Sequence, residues 1–213
     1  MIFVSFFISF NKKIHPSAYE EKYPLEKLYV RDSDVSWLND KWMYINPNNE
    51  TILQVDCNYA YEFSNGLAMI QKGLYYGYID VTGKLVVPAI YEKAHSFSEE
   101  LASVKKNGKW GVINTGNQQI IPFKYALIGQ YSEGRCNFQN SNNLGSKWGY
   151  FDSKGKIIIP ATFDKCYPFS EGRAIFRKGA FKGGSYGFID SIGTQVIPPI
   201  YDGAMSFSNG LAS

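Results

Sequence analysis

Short hydrophobic stretches separated by turn-forming residues run along most of the chain. The segments WGVIN, WGYFD, KLVVP and KIIIP are rich in aromatic and β-branched side chains, and glycine, proline, asparagine or aspartate lies at their ends. Segments of this length and composition are typical of β-strands joined by tight turns. The pattern therefore predicts an all-β protein.

The predicted strands belong to a repeat of 34 to 38 residues, because an aromatic residue followed by glycine recurs along the chain. The four aromatic–glycine pairs begin 34, 38 and 38 residues apart, at Tyr76, Trp110, Trp148 and Tyr186. Trp42 lies 34 residues before Tyr76 and begins a fifth copy, in which Met43 replaces the glycine. Positions within a copy are numbered as offsets from the aromatic residue, so that Trp110 is offset 0 and Gly111 is offset +1.

A hairpin turn is predicted between offsets +4 and +7 of every copy. Aspartate or asparagine at +4 can hydrogen-bond the backbone two residues further on, and glycine or asparagine at +7 tolerates a positive φ. This combination predicts a type I turn with a G1 bulge. The +4 residues are Asn46, Asp80, Asn114, Asp152 and Asp190, and the +7 residues are Asn49, Gly83, Asn117, Gly155 and Gly193.

The rest of each copy is a second strand, a connector and a third strand. We expect the second strand to end at the proline at +12, because proline donates no ladder hydrogen bond. Along the connector, aromatic, small or apolar, and aromatic residues follow at +15, +18 and +21. Spacings of three predict a helical or 3₁₀ turn that buries one edge. A Ser-Glu-Gly or Ser-Asn-Gly turn at +22 to +24 then leads into the third strand.

The predicted fold is a tandem array of three-stranded antiparallel β units over residues 25–213, with copies that start near 42, 76, 110, 148 and 186. No unit can bury its aromatic residues alone, so we expect the units to stack, with the offset 0 aromatic filling the gap between neighbours. Unequal intervals favour an open solenoid-like or superhelical stack. A propeller-like ring is the alternative, because its blades have similar periods. The chain stops inside a third strand, and we expect it to be a fragment of a longer array.

The N-terminal segment, residues 1–24, lies outside the array. Residues 2–10, IFVSFFISF, are too few to cross a bilayer as a helix, which needs about 20 residues. They are interpreted as a truncated or degenerate signal peptide; a β-strand of the fold and a misassigned start are the alternatives. The first interpretation favours an exported or cell-surface location, and no integral membrane span is predicted.

These motifs resemble the WG-repeat family of bacterial proteins, also called the KWG repeat. The family pattern GKWGYID-x-x-G-x-x-VIP-x-x-YD-x-A-x-x-F-x-EGLA is matched by GKWGVINTGNQQIIPFKYALIGQYSEG (residues 108–134) and by KWGYFDSKGKIIIPATFDKCYPFSEGRA (residues 147–174). The resemblance covers about four-fifths of the chain. It implies a β-repeat without defined catalytic residues, so it transfers no site to this chain. Met43 and Gln54 depart from the pattern and suggest an end cap in the first copy.

The residues that could carry chemistry have structural explanations. No sequence motif of a known catalytic or metal site occurs. The acidic residues at +4 and +23 share their positions with asparagine in other copies, which indicates a turn role for Asp80, Asp152, Asp190, Glu99, Glu133 and Glu171. The three cysteines, Cys57, Cys136 and Cys166, lack metal-site spacing, and His95 lies at the variable offset +19. We therefore expect no catalytic residue, no cofactor and no metal.

The chain has 22 basic and 19 acidic residues, and its net charge of +3 is scattered along the sequence, so no nucleic-acid partner is expected. A non-catalytic scaffold for an unidentified protein partner is the preferred function. A surface module that binds glycan or cell-wall material is the alternative and predicts exposed, coplanar connector tyrosines such as Tyr59, Tyr61 and Tyr167. An enzyme hidden in degenerate positions is the third hypothesis. A small basic stripe suited to an acidic partner supplies the candidate partner-binding residues: Arg135, Arg173, Arg177 and Lys178.

Overall fold

The computed structural model describes residues 26–30, 41–46, 48–179 and 183–212. The signal-like residues 2–10 lie outside the described residues. The described residues contain β-strands and no helix. In chain order the strands are β1 (Glu26–Val30), β2 (Lys41–Ile45), β3 (Thr51–Asp56), β4 (Tyr59–Ser64), β5 (Leu67–Lys72), β6 (Tyr75–Asp80), β7 (Leu85–Tyr91), β8 (Lys93–Ala94), β9 (Leu101–Lys106), β10 (Lys109–Asn114), β11 (Gln119–Tyr125), β12 (Leu127–Ile128), β13 (Arg135–Gln139), β14 (Trp148–Asp152), β15 (Ile157–Phe163), β16 (Lys165–Ser170), β17 (Arg173–Lys178), β18 (Ser185–Ile189) and β19 (Gln195–Tyr201).

The strands form five antiparallel sheets, in which each strand pairs with its neighbours in the chain. Sheet I has three strands (β1–β3), and four strands form each of sheets II (β4–β7), III (β8–β11), IV (β12–β15) and V (β16–β19). The prediction of an all-β array is confirmed. The prediction of three-stranded units is wrong for sheets II to V, because the connector contributes a fourth strand to each of them.

A β-bulge, and not a helical turn, explains the spacing of three in the connector. Ala60 pairs with Ile70 and Phe63 pairs with Ala68, so two residues of β4 oppose a single residue of β5. The same shift occurs in sheet V between Cys166 and Phe169. An inserted residue lets two side chains three positions apart point to the same face of a strand. The prediction of a helical or 3₁₀ connector is therefore wrong.

The glycine at +1 is needed because the neighbouring strand bulges against it. The strand continues through the proline at +12, as in β15, so the prediction that proline ends it is wrong. Between Trp148 and Tyr150 the pairing with β15 shifts register, and a Cβ on Gly149 would lie 2.5 Å from the carbonyl oxygen of Ile159. Proline is tolerated there because β15 is an edge strand and the bulge needs no ladder donor.

The first copy has no glycine at +1 and no bulge opposite that position. Trp42, Met43 and Tyr44 pair without interruption with Val55, Gln54 and Leu53. Since there is no bulge at this point, the strand accommodates a side chain at +1 and needs no proline at +12. The replacement of glycine by Met43 and the replacement of proline by Gln54 are therefore linked by one feature of the backbone.

The predicted turn between +4 and +7 is confirmed in all five copies. In the second copy, Asp80 Oδ1 accepts hydrogen bonds from the backbone N–H groups of Thr82 and Lys84, and Gly83 has a φ of 82°. Asparagine makes the same two bonds in the first and third copies. A carboxylate is thus not required at this position, which supports a structural role for the +4 acids.

The turns at +22 to +24 in sheets II, III and IV bond to the next sheet, and the equivalent turn in sheet V bonds to the segment after β19. The Ser132 hydroxyl donates to the Phe169 carbonyl at 2.7 Å, and the Glu133 carboxylate accepts from the Gly172 N–H at 2.9 Å. Equivalent pairs of bonds begin at Ser64, Ser98 and Ser170. Because both central residues of these turns have positive φ, the turns are of the I′ type. We call this pair of bonds the inter-sheet clasp.

The hydrophobic core lies between successive sheets. Trp110, Val112 and Ile121 of sheet III pack with Ile128 and Phe138 of sheet IV, and comparable clusters join sheets I and II, II and III, and IV and V. The tryptophans at offset 0 are 5–8% exposed. This confirms the prediction that they fill the gap between neighbours, whereas Tyr76 and Tyr186 at the same offset are only half-buried.

The chain passes from sheet to sheet almost without a loop. Glu92, Ala126 and Asp164 are the single residues that separate the last strand of sheets II, III and IV from the first strand of the next sheet. Strands that change sheets through a short bend are characteristic of packed sheets whose strands cross at a corner. The link therefore fixes how each sheet is placed on its neighbour.

The fit at the +1 glycine predicts the effect of adding one methyl group. Gly149→Ala should lower the free energy of unfolding by about 1–3 kcal/mol, because its Cβ would meet backbone atoms that cannot move independently. Gly116→Ala is the matched control, since the nearest atom to its Cβ is 3.5 Å away, and a change below about 0.5 kcal/mol is expected there. Urea denaturation measures both; equal losses in the two variants would contradict this account of the glycine.

The buried position of the tryptophans predicts a larger loss. Trp110→Ala and Trp148→Ala should each cost about 3–5 kcal/mol, the scale for removing a buried large aromatic side chain. Thermal unfolding monitored by circular dichroism measures the loss. A loss below about 1 kcal/mol would show that the ring does not support the contact between sheets.

Candidate interaction surface

The strands of each sheet end on two opposite sides of the sheet, as the strand register shows. We call these two sides the aromatic edge and the turn edge. The aromatic edge contains offsets −1 and 0, the connector start at +14 to +17, and the hairpin at +29 and +30; in sheet III, Lys93 pairs with Lys105 and Lys109 pairs with Lys106. The turn edge contains the turns at +4 to +8 and the clasp at +22 to +25. Both edges continue along the array, because every unit repeats the register.

A groove of about 790 Å³ runs along the aromatic edge and crosses three sheets. Its size lies within the range of small-ligand and peptide sites. It is open to solvent and has an aromatic wall and a polar rim. The lining residues are Tyr61, Met69, Gln71, Leu74 and Tyr76 of sheet II, Glu92 of the link, Lys93, Ala94, His95, Ser96 and Trp110 of sheet III, and Leu127, Gly129 and Gln130 of sheet IV.

The groove wall is uncharged near neutral pH. The imidazole of His95 stacks on Trp110 with a centroid distance of 5.2 Å, and burial lowers the pKa of His95 below its usual value. Burial, followed by the neighbouring Tyr76, raises the pKa of Tyr61. Ring edges and hydroxyl groups therefore face a ligand along this wall, and the charged side chains of the lining are those of Glu92 and Lys93.

The faces of the offset 0 rings are already occupied. Tyr59 lies against Trp42 at a centroid distance of 4.8 Å, His95 covers Trp110, and Lys165 Nζ lies 4.0 Å from the centre of the Trp148 ring. A flat sugar ring or a nucleobase needs an exposed ring face for stacking. These tryptophans do not offer one.

The expectation of coplanar connector tyrosines is wrong. The rings of Tyr59 and Tyr61 are inclined by 56°, and Tyr167 is inclined by 42° to Tyr186. Tyr59 is 40% exposed, whereas Tyr61 and Tyr167 are half-buried. Tyr59 packs against Trp42 and Tyr167 against Tyr186, the offset 0 aromatics of adjoining strands, and neither ring lies flat on the surface.

Charge is divided unequally between the edges. Among residues whose side chains the structure describes, the aromatic edge carries ten cations and four carboxylates, and the turn edge carries five cations and eight carboxylates. On the aromatic edge the cations are Lys72, Lys93, Lys105, Lys106, Lys109, Lys124, Lys147, Lys165, Arg177 and Lys178, and the acids are Asp56, Glu92, Asp164 and Asp202. On the turn edge the acids are Glu50, Asp80, Glu99, Glu100, Glu133, Asp152, Glu171 and Asp190, and the cations are Lys84, Arg135, Lys154, Lys156 and Arg173.

The four candidate partner-binding residues do not form one stripe. Arg135 and Arg173 lie on the turn edge, and Arg177 and Lys178 lie at the far end of β17 on the aromatic edge. Arg135 Nε donates to the Ser191 carbonyl at 3.0 Å, and its guanidinium lies 5.1 Å from the centre of the Phe169 ring. Arg135 therefore helps to join sheets IV and V.

The acids at +4 and +23 and the three cysteines take part in turns, in clasps or in the hydrophobic core. The +4 acids hold turns, and Glu99, Glu133 and Glu171 form clasps. The cysteines are buried, and burial raises the pKa of the Cys57 thiol to about 11 and that of Cys166 to about 12. In the described part of the chain, no group of three or more histidine, cysteine and acidic residues is arranged to hold a metal ion. A search of the described residues for a helix long and apolar enough to cross a membrane found none.

A second, smaller pocket of about 360 Å³ lies on sheet V. Phe188, Ile197 and Phe207 line it. In sheets I to IV the next sheet covers the corresponding face. The pocket therefore corresponds to the face that packs against a neighbouring sheet elsewhere in the array. No charged residue lines it among those that the structure describes.

Sequence reasoning missed the lysines of the aromatic edge. The cations are scattered along the linear sequence, and their recurrence at the same offsets of different copies went unnoticed. Lys93 and Lys165 share +17, Lys105 and Arg177 share +29, and Lys109 and Lys147 share −1. Grouping the charges by offset would have shown this recurrence, but only the strand register places the three offsets on one edge.

Comparison with solved structures gives a likeness in fold. The chain is similar to a structure described as the crystal structure of the eukaryotic initiation factor, with a TM-score of 0.56 and 12% identity, over 83% of this chain and 53% of that one. It is also similar to Kluyvelomyces marxianus Hsv2 (TM-score 0.49, 14% identity, 82% and 64% covered) and to prolyl oligopeptidase B from Galerina marginata (0.43, 13%, 80% and 31%). The chain spans about half the length of the first of these. No curated protein sequence matches it significantly.

The family comparison agrees with the repeat pattern and with the sheets. The family described as "WG containing repeat" matches five times, at residues 42–73, 76–110, 110–143, 148–180 and 186–213. These matches begin at the five offset 0 aromatics and cover most of the chain. In four of the five matches of this chain, a bulge lies opposite the +1 glycine of the aromatic–glycine pair. The chain is a member of the WG-repeat family.

Proposed function

We propose that the chain is a non-catalytic scaffold that binds a segment of a partner protein along its aromatic edge. The observation that carries this proposal is the groove, which is continuous over sheets II, III and IV. A site that extends over several units suits an elongated ligand, because each unit supplies one section of the contact. The ring edges, amide groups and exposed Leu74 offer the mixed contacts typical of protein interfaces.

The lack of a catalytic role is proposed because the reactive side chains have other tasks. His95 is stacked on Trp110, and Cys136 and Cys166 are buried thiols whose pKa burial raises. A nucleophile or general base needs a reactive partner within hydrogen-bond reach. Among the described residues, the hydrogen bonds of the acids at +4 and +23 go to turns and clasps.

An open, superhelical stack is the arrangement that we propose for the sheets. A link of one residue spans about 7 Å between flanking Cα atoms. In a ring of radial blades, the chain must return from the last strand of one blade to the first strand of the next, which lies about 14 Å away across three strand spacings. The single-residue links therefore favour the stack. The alternative, a propeller-like ring, is favoured by the likeness in fold to the initiation-factor structure, which is β-propeller-like.

Small-angle X-ray scattering distinguishes the two arrangements. A stack of five sheets at about 10 Å per sheet should give an elongated particle whose pair-distance distribution has a long tail. A ring should give a symmetric distribution with a shorter maximum distance. A symmetric distribution for the monomer would contradict the proposed stack.

Selection from a random-peptide phage library tests the scaffold. Peptides enriched on the chain should lose at least about tenfold in affinity, or about 1.4 kcal/mol, with Leu74→Ser, because Leu74 is 81% exposed and lines the groove. Leu144→Ser is the matched control, since Leu144 is also an exposed turn leucine but lies outside the groove. A glycan array is run in parallel. Binding to glycans without selection of any peptide would favour the alternative, a surface module for glycan.

A further inference from the structure

We infer that the aromatic edge recognises an acidic, extended peptide segment, through lysines that face one another across the strands of sheet III. This inference rests on the proposed scaffold function and specifies the chemistry of its partner. Lys93 lies opposite Lys105, and Lys106 lies opposite Lys109. Lys93 also lines the groove.

Like charges placed directly across a sheet repel each other and destabilise the pairing. Sheet III has two such pairs at the same end of its strands, one on each face of the sheet. Sheet V has one such pair, with Lys165 opposite Arg177. The proximity of Arg177, after burial, contributes to lowering the pKa of Lys165. An anionic ligand would relieve this repulsion, so the free energy of the unliganded edge favours binding of negative charge.

The lysines of sheet III outnumber the acids near them, since Glu92 is the one acid whose carboxylate is bonded within this end of the sheet in the described residues. In the part of the chain that the structure describes, none of Lys93, Lys105, Lys106 and Lys109 forms a salt bridge. Glu92 precedes Lys93 in the chain, and its two carboxylate oxygens accept hydrogen bonds from the Gly108 N–H at 3.0 and 3.1 Å. In the equivalent place, Asp164 is bound by Lys147 and by the Gly179 N–H.

The turn edge places cations close to acids. Arg135 lies directly opposite Asp152 across sheet IV. Arg173 contributes to lowering the pKa of Asp190, although the hydrogen bonds within that turn contribute more. On the turn edge these cations have acidic neighbours, whereas on the aromatic edge sheets III and V place cations opposite cations, and only Lys147 among the described lysines of that edge is bonded to an acid, Asp164.

A peptide suits this edge better than a nucleic acid. Single-stranded nucleic acids bind through bases that stack on exposed aromatic faces. Tyr59, His95 and Lys165 cover the tryptophan faces here. Glutamate and aspartate side chains can contact the lysines from an extended backbone, while neighbouring apolar side chains enter the groove beside Leu74 and Met69.

Fluorescence anisotropy with labelled peptides of about 12 residues, which span about 40 Å when extended, tests the inference. A peptide of alternating glutamate and tyrosine should bind the chain, and its affinity should fall as NaCl rises from about 50 to 200 mM. The variant Lys93→Glu/Lys106→Glu/Lys109→Glu should bind it at least about tenfold more weakly. The milder Lys93→Gln/Lys106→Gln/Lys109→Gln should weaken it in the same direction, and circular dichroism checks that both remain folded.

The matched control reverses three exposed lysines of the turn edge, Lys84→Glu/Lys154→Glu/Lys156→Glu, and changes the net charge by the same amount. It should alter the affinity less than about twofold. Equal losses in both triple variants, or equal binding of a glutamine–tyrosine peptide, would overturn the inference. So would absence of binding to the acidic peptide, or tighter binding of an oligothymidylate, which would assign the edge to nucleic acid.

The two proposals fail in different ways. If the phage library yields peptides that depend on Leu74 but are not enriched in acidic residues, the scaffold stands and the inferred acidic partner is wrong. If the acidic peptide binds through the lysines of sheet III but Leu74→Ser has no effect, the charge inference stands and the groove is not the contact surface.

Discussion

Burial of one sheet by the next is the constraint on which the structure depends. Each core cluster takes its side chains from two successive sheets, as where Trp148 and Ile159 of sheet IV meet Phe176 and Ile189 of sheet V. A single sheet would expose this apolar face to water, so its stability comes from the neighbour. The single-residue links and the clasps fix the spacing between the packed faces of successive sheets. The repeat therefore varies in length only in the hairpin loops, which lie outside these contacts.

Most of the conspicuous residues serve this packing. The +1 glycine makes room for a bulge, the +4 acid or amide closes a turn, and the serine and acid of the clasp join adjacent sheets. The tyrosine at +2 follows the same principle: Tyr44, Tyr78 and Tyr150 are fully buried and donate their hydroxyls to carbonyls at +19. In the third copy Val112 has no hydroxyl, and Ser103 donates to the corresponding Gly129 carbonyl instead. The carbonyl keeps a partner although the residue that supplies it has changed.

The proposed binding surface uses positions that differ among copies. These are the offsets −1, +17, +29 and +30 of the aromatic edge, together with +19 in the groove. Variation at +19 shapes the groove directly, since this offset carries Tyr61, His95 and Gly129 along its length.

The sequence by itself determined the repeat, the all-β class, the turn at +4 to +7 and the burial of the tryptophans, because each depends on local chemistry or on a strict recurrence. It did not reveal the fourth strand, since a bulge gives the connector the three-residue spacing of a helical turn. The prediction that proline ends the second strand was wrong, because proline is tolerated in an edge strand and the position of a strand at the edge is known only from the sheet. The charge of the aromatic edge was decided by tertiary structure alone: Lys93 and Lys105 are twelve residues apart in the chain, and only the antiparallel register of sheet III places them side by side.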